Sequence, residues 1–156
     1  MIWVVVVAAA AVLDQALKFL VTKLIPFENS VTIIDRFFYI THWKNSGAAW
    51  GVFQNGRYIF IILTVLAVLV MAIIINRSNS RFLKFSLSLI IGGALGNLVD
   101  RVLHGYVTDF LQLKFWSYNF PVFNLADSMV VVGTILLAVY VLFMQKNARR
   151  FKYKIR

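Results

Sequence analysis

The chain has 156 residues, of which 61% are hydrophobic and 14% charged, with a mean hydropathy of +0.80. That balance excludes an ordinary soluble fold and excludes disorder, and the length predicts one domain, 1–156, embedded in a membrane. A formal charge of +10, from 16 Lys and Arg against 6 acids, would point to nucleic acid in a soluble protein. Here many of the bases cluster beside apolar runs, at Arg77, Arg81 and Lys84, then at Lys146, Arg149, Arg150, Lys152, Lys154 and Arg156. Short basic segments in such places set membrane orientation and meet anionic lipid heads, so membrane lipids are the expected partner and nucleic acid is not. There is no cysteine, which rules out disulfides and thiol catalysis. His42 and His104 lie far apart without HExxH or HxH spacing, so neither a metal nor another cofactor is expected.

In chain order, 2–24 is an apolar run interrupted by Asp14 and Lys18. It lacks a basic leading region, and its hydrophobicity continues past the small residues Ala8 to Ala11, so it reads as a retained first transmembrane helix instead of a cleaved signal. Asp14 and Lys18 share a helix face in the favourable acid-to-base order. Two readings of them stand side by side: a neutralised pair snorkelling to the far interface, or a pair that supports a substrate site.

Pro26 closes that helix, and 26–57 changes character. Val31 to Ile34 and Phe37 to Trp43 are β-branched and aromatic and too short to span as helices, so they read as strands. Asn45-Ser46-Gly47 is turn chemistry. With its aromatics, this segment predicts a sheet platform in the headgroup zone, and it is the only sizeable β-like region that the pattern shows. A second helix, 58–75, carries no charge. A third, 85–103, holds Gly92, Gly93 and Gly96, small residues that let membrane helices approach closely. It ends with Asn97, Asp100 and Arg101 at i, i+3 and i+4. For Asp100 the stronger reading is structural, an ion pair and amide network at a helix end, because a carboxylate beside arginine stays ionised. The connection 104–122 carries Asp109 on a short strand or re-entrant edge. Asp127 opens a fourth helix, 125–143, and 145–156 is a basic tail. The expected fold is therefore an all-α integral membrane protein of four transmembrane helices with a small extracytoplasmic β-sheet platform.

Basic residues in 76–84 and in the tail place both on the cytoplasmic side, and four helices then put both termini there. The 26–57 and 104–122 connections fall outside. Asp14, Asn97, Asp100, Asp109 and Asp127 all arrive near that outer level. Two carboxylates held close cannot both ionise easily, so one keeps a proton while the other serves as base. Asp109 and Asp127 are the candidates for activating a water, since neither has an adjacent base in the sequence. The dipole at a helix N-terminus favours the anion at Asp127, and an aromatic-flanked strand would desolvate Asp109. On spacing alone the two could also be caps.

Five motifs then stand together: Asp14-Gln15-x-x-Lys18, Asn45-Ser46-Gly47-Ala48-Ala49-Trp50-Gly51, Gly92-Gly93-Ala94-Leu95-Gly96-Asn97-x-x-Asp100-Arg101, Val107-Thr108-Asp109-Phe110 and Phe123-Asn124-Leu125-Ala126-Asp127-Ser128. In this the chain resembles the lipoprotein signal peptidases (signal peptidase II), the aspartyl peptidases of the bacterial inner membrane, in order and over essentially its whole length. The resemblance implies cleavage of diacylglyceryl-modified prolipoproteins on the N-terminal side of the lipidated cysteine. It also implies inhibition by cyclic peptide antibiotics such as globomycin. Carried over by position, it implies a catalytic dyad of Asp109 and Asp127, substrate contacts at Asn45, Asn97, Arg101 and Asn124, and supporting polar residues Asp14, Lys18 and Asp100. A monomer is expected. The competing classes are a small ion- or proton-coupled transporter using Asp14, Lys18, Asp100 and Arg101, and a non-catalytic membrane assembly subunit. The charges cluster near one interface without an inverted repeat, which counts against transport. An assembly subunit leaves the two aspartates unexplained.

Overall fold

The computed structural model describes residues 1–47 and 56–144. Ala48, Ala49, Trp50 and Gly51 of the turn motif, and the basic tail 145–156, lie outside the described residues. Among the described residues, four helices are long and apolar enough to cross a membrane: Ile2–Leu24, Arg57–Arg77, Arg81–Leu103 and Leu125–Met144. We label them α1 to α4; the regular part of α4 is Leu125–Val139, and Tyr140–Met144 continues it as a π-helical turn.

Local chemistry explains where each helix starts and stops. Ile25 ends α1 in an extended conformation (φ −117°, ψ 118°), the region imposed on a residue that precedes proline. α3 begins at Arg81, about a turn before the apolar pattern at 85–103 implies. The reason is Ser80, whose side chain accepts the Leu83 N–H and caps the helix. The buried Ser86 and Ser88 hydroxyls donate back to the carbonyls of Phe82 and Lys84 at 2.9 and 2.7 Å, so they need no other partner. α4 starts with a capping box: the Asn124 side chain accepts the Asp127 N–H, and the Asp127 side chain accepts the Asn124 N–H.

Helix α3 is the hub, packed against each of the other three, while α2 packs chiefly on α3 and buries none of its residues. An apolar helix with no buried side is suited to lipid on nearly all its circumference. Close approach depends on glycine, most directly at Gly92 and Gly93. A Cβ on Gly92 would sit 2.5 Å from the Ala10 Cβ of α1, and one on Gly93 would overlap the Ala126 carbonyl oxygen of α4.

The strands β1 (Ser30–Ile34), β2 (Phe38–Asn45), β3 (Val107–Phe115) and β4 (Tyr118–Asn119) form one antiparallel sheet in the order β1-β2-β3-β4. The longest strand, β3, comes from the second connection and not from 26–57, so the sheet is sewn from both. Val107, Thr108, Asp109 and Phe110 are buried in succession, so the start of β3 is enclosed on both faces, and Leu111 bridges to Phe123 beyond β4. In the β2–β3 register Trp43 faces Asp109 and Asn45 faces Val107. Asn45 and Asp109 are thus diagonal neighbours, within reach of each other on one face.

The fourth helix starts low. The Ala126 N–H donates to Asp14 Oδ1 at 2.8 Å, and Asp14 in turn faces Gly96. From that level α1 continues to Leu24, ten residues or about 15 Å, and α3 continues to Leu103, about 10 Å. The first turn of α4 is therefore recessed below the rims of two neighbouring helices, with β3 above it.

Candidate active site

Three layers of polar side chains fill that recess. The deepest is built on α1 and α3. Lys18, 3% exposed, has three donors and three partners: Asp14 Oδ2 at 2.7 Å, Asp100 Oδ2 at 3.1 Å and Asn97 Oδ1 at 2.9 Å. Asp100 also accepts from Gln15 Nε2 at 2.9 Å and from the Thr108 N–H at 3.0 Å, tying the end of α3 to α1 and to the start of β3. Gln15 Nε2 also donates to the Gly96 carbonyl at 3.0 Å. The Asp14–Lys18 pair therefore does not snorkel. Both side chains turn inward, because two carboxylates and an amide there surround the ammonium, which an isolated pair in lipid could not achieve. Asp100 likewise takes its charge partner from Lys18 of another helix. Arg101 instead lies over the Phe60 ring, 4.8 Å from its centroid.

The middle layer is a pair of amides. Lys18 can only donate, so Asn97 must turn Oδ1 toward it, and the Asn97 Nδ2 then donates to Asp127 Oδ1 at 2.7 Å. Asn124 is oriented by the same logic. Its Oδ1 accepts the Asp127 N–H at 2.9 Å, which leaves its Nδ2 to donate to Asn97 Oδ1 at 3.1 Å and Asp109 Oδ1 at 2.6 Å. Each amide thus has one possible orientation.

The outer layer is the pair of carboxylates. Asp109 is 1% exposed, and its second oxygen accepts from Asn45 Nδ2 at 2.9 Å. The Asn45 Oδ1 is itself held by the Gly47 N–H at 3.0 Å. Asp127 receives Asn97 Nδ2 on one oxygen and the Asn124 N–H on the other, at 3.2 Å. A strand residue and a helix-start residue are thus bridged through two amides. Burial, followed by the Asp127 charge, pushes the Asp109 carboxyl from 3.8 up to about 7, against the pull of Asn45, Asn124 and the more distant Lys18. Such an arrangement holds one acid with its proton near neutral pH beside a second carboxylate.

Asp14, Lys18, Asn45, Asn97, Asp100, Asp109, Asn124 and Asp127 therefore form one connected network, and Arg101 stands beside it, near enough for its charge to interact with Asp127 and Asp109. Spacing gave no role to Gln15 or Gly96. Gln15 carried a signal, a polar side chain beside Asp14 in an apolar run. Gly96 read as helix packing, but what a Cβ there would strike is the Asp14 carboxylate, 2.6 Å away.

A family model described as signal peptidase (SPase) II matches residues 6–143. The chain belongs to the signal peptidase II family. Like that family, it is an aspartic endopeptidase of the bacterial membrane that removes signal peptides from prolipoproteins. It is 40% identical over 143 residues to a lipoprotein signal peptidase of Staphylococcus carnosus (strain TM300), with 90% of each chain covered. Its fold is similar to that of a bacterial membrane enzyme solved by the in meso method at 2.3 Å, with a TM-score of 0.86 and 31% identity. That match covers 93% of this chain and 90% of the other. A second such structure, at 1.9 Å, gives a TM-score of 0.82 with 31% identity, over 90% and 92% of the two chains. For a signal peptidase II, the recess at the start of α4 is where a buried aspartate, Asp109, a half-buried one, Asp127, and a set of oriented amides meet. Membership in a peptidase family sets the transporter and assembly-subunit readings aside.

Proposed function

We propose that Asp109 and Asp127 are the catalytic dyad and that they cleave diacylglyceryl-modified prolipoproteins on the N-terminal side of the lipidated cysteine. The observation that carries this reading is the bridge from Asp109 through Asn124 and Asn97 to Asp127, with the Asp109 carboxyl raised to about 7. In the resting enzyme Asp109 holds a proton, and Asp127 serves as the base. Asp127 takes a proton from a water as that water's oxygen attacks the scissile carbonyl carbon. Asp109 gives its proton to the carbonyl oxygen. The gem-diol then collapses: Asp127 protonates the leaving cysteine nitrogen, the C–N bond breaks, and a diol hydroxyl returns its proton to Asp109.

Asn45, Asn97 and Asn124 fix the carboxylates, and with Arg101 they bind the substrate backbone. Asp14, Lys18 and Asp100 support that frame from below. Positive charge at 76–84 and 145–156 orients the protein with both termini in the cytoplasm and the sheet of 26–57 and 104–122 outside. The recess then opens in the outer leaflet, where the acyl chains of the substrate lie between helices of a monomeric enzyme. Cyclic peptides of the globomycin type would occupy the same recess.

The test is cleavage of a lipidated precursor peptide by Asp109→Asn and Asp127→Asn in detergent. Both should lose at least about a thousandfold in rate while keeping their helical content, as loss of an acid or base together with its charge implies. Turnover by either variant within tenfold of the parent removes that residue from the dyad.

A further inference from the structure

At the end of the bundle opposite the aspartates, a cavity of about 490 Å³ lies between the first turn of α1 and the first turn of α3. It is lined by Ile2, Trp3, Asn79, Arg81 and Lys84. None of these residues belongs to the polar network described above. We propose that this cavity is a binding site for the headgroup of one anionic phospholipid in the leaflet opposite the catalytic recess.

Three features of the cavity favour that occupant. Its two charged walls, Arg81 and Lys84, are both cations, spaced three residues apart on one face of α3. Arginine offers a planar fork to phosphate oxygens, and lysine adds a point charge. Backbone polarity points the same way. Ser80 caps only the Leu83 N–H, so the N–H groups of Arg81 and Phe82 remain without helical partners at the positive end of the α3 dipole.

The surroundings distinguish a lipid from a soluble anion. Trp3 is half-buried in the wall, an amphipathic ring of the kind that settles at headgroup level. Beside the opening, Ile2, Val4, Val5 and Phe85 are exposed, a surface on which acyl chains can lie. A cavity with a cationic floor and an apolar flank fits an amphiphile with a phosphodiester head. Basic pockets between transmembrane helices on the positive-inside face hold such heads.

The experiment is native mass spectrometry of the full-length enzyme released from detergent, titrated with phosphatidylglycerol or with phosphatidylcholine. Arg81→Gln/Lys84→Gln is compared with the parent and with the charge-keeping Arg81→Lys/Lys84→Arg. The parent should retain one phosphatidylglycerol selectively. The Gln pair should hold it about 30-fold more weakly, as loss of two membrane-facing cations implies, and the charge-keeping pair should behave as the parent. Phosphatidylcholine should bind all three alike, and inorganic phosphate should not displace the lipid. Equal retention of phosphatidylglycerol by parent and Gln pair overturns the site. Displacement by millimolar inorganic phosphate also overturns it, by making the cavity a soluble-anion site. The Gln pair should still cleave the lipidated precursor peptide, so this outcome is read separately from the fate of the dyad.

Discussion

Asp109→Asn tests the protonation of the recess without relying on turnover. Burial and the Asp127 charge lift the Asp109 carboxyl from 3.8 to about 7. Between about pH 4 and 7 the folded chain keeps a proton that the unfolded chain has released. Stability therefore falls as pH rises through that window and levels off above it, by about 4 kcal/mol in all. Asparagine does not titrate, so the variant escapes the loss. Integrating over the part of the window between pH 5 and pH 8 gives a relative gain of about 2.5 kcal/mol for Asp109→Asn. One opposing effect is constant. Both Asp109 oxygens accept amide protons, from Asn45 and Asn124, and asparagine offers only one acceptor. That mismatch costs about 1–3 kcal/mol at every pH, so it displaces the curve without changing its slope. The assay is thermal unfolding in detergent micelles, followed by tryptophan fluorescence at several pH values between 5 and 8. Relative to the parent, the Tm of the variant should climb by about 5–10 °C across that range. A difference in Tm that stays constant with pH would mean that Asp109 ionises in the folded chain as it does in water, and the account of the recess would fail.

Three other outcomes follow from the same geometry. Cleavage should fall about tenfold per pH unit above roughly pH 7, as Asp109 loses the proton it must donate; a rate that stays level to pH 9 contradicts this. Gly93→Ala puts a methyl group onto the Ala126 carbonyl, a backbone atom that cannot rotate away. It should cost about 2 kcal/mol or more and lower cleavage at least tenfold, and an unchanged melting curve would show that α3 and α4 are not in such close contact. Lys18→Met leaves Asp14 and Asp100 buried without their shared cation, a loss of about 3–5 kcal/mol. The triple variant Asp14→Asn/Lys18→Met/Asp100→Asn should recover part of it, and a single variant that melts like the parent would mean that water reaches the triad.

The four helices were legible in the sequence because an uninterrupted apolar run has few alternatives in a chain this hydrophobic. The arrival of Asp14, Asn97, Asp100, Asp109 and Asp127 at one level was legible from helix counting. What periodicity does not carry is which helix a polar residue faces. The i+3 and i+4 spacing joined Asp14 to Lys18 correctly, but it missed Asp100 as a partner of Lys18, because that pair connects α1 with α3. The same blindness left Gln15 without a role and put β3 at the margin, since a strand is recognised poorly when its partner lies sixty residues upstream. The start of α3 was misread because the cap is a single serine, Ser80, whose effect is local and apolar patterning does not register it.

The recessed start of α4 has a consequence for mutational freedom. Asn97 and Asn124 have each polar side-chain atom committed, and Gly92, Gly93 and Gly96 are closed in by neighbouring atoms. The floor of the recess therefore has almost no viable substitution. Variation is left to exposed residues such as Val31 and Ile33 of β1, which contribute no side chain to the polar network and whose change leaves the aspartates undisturbed.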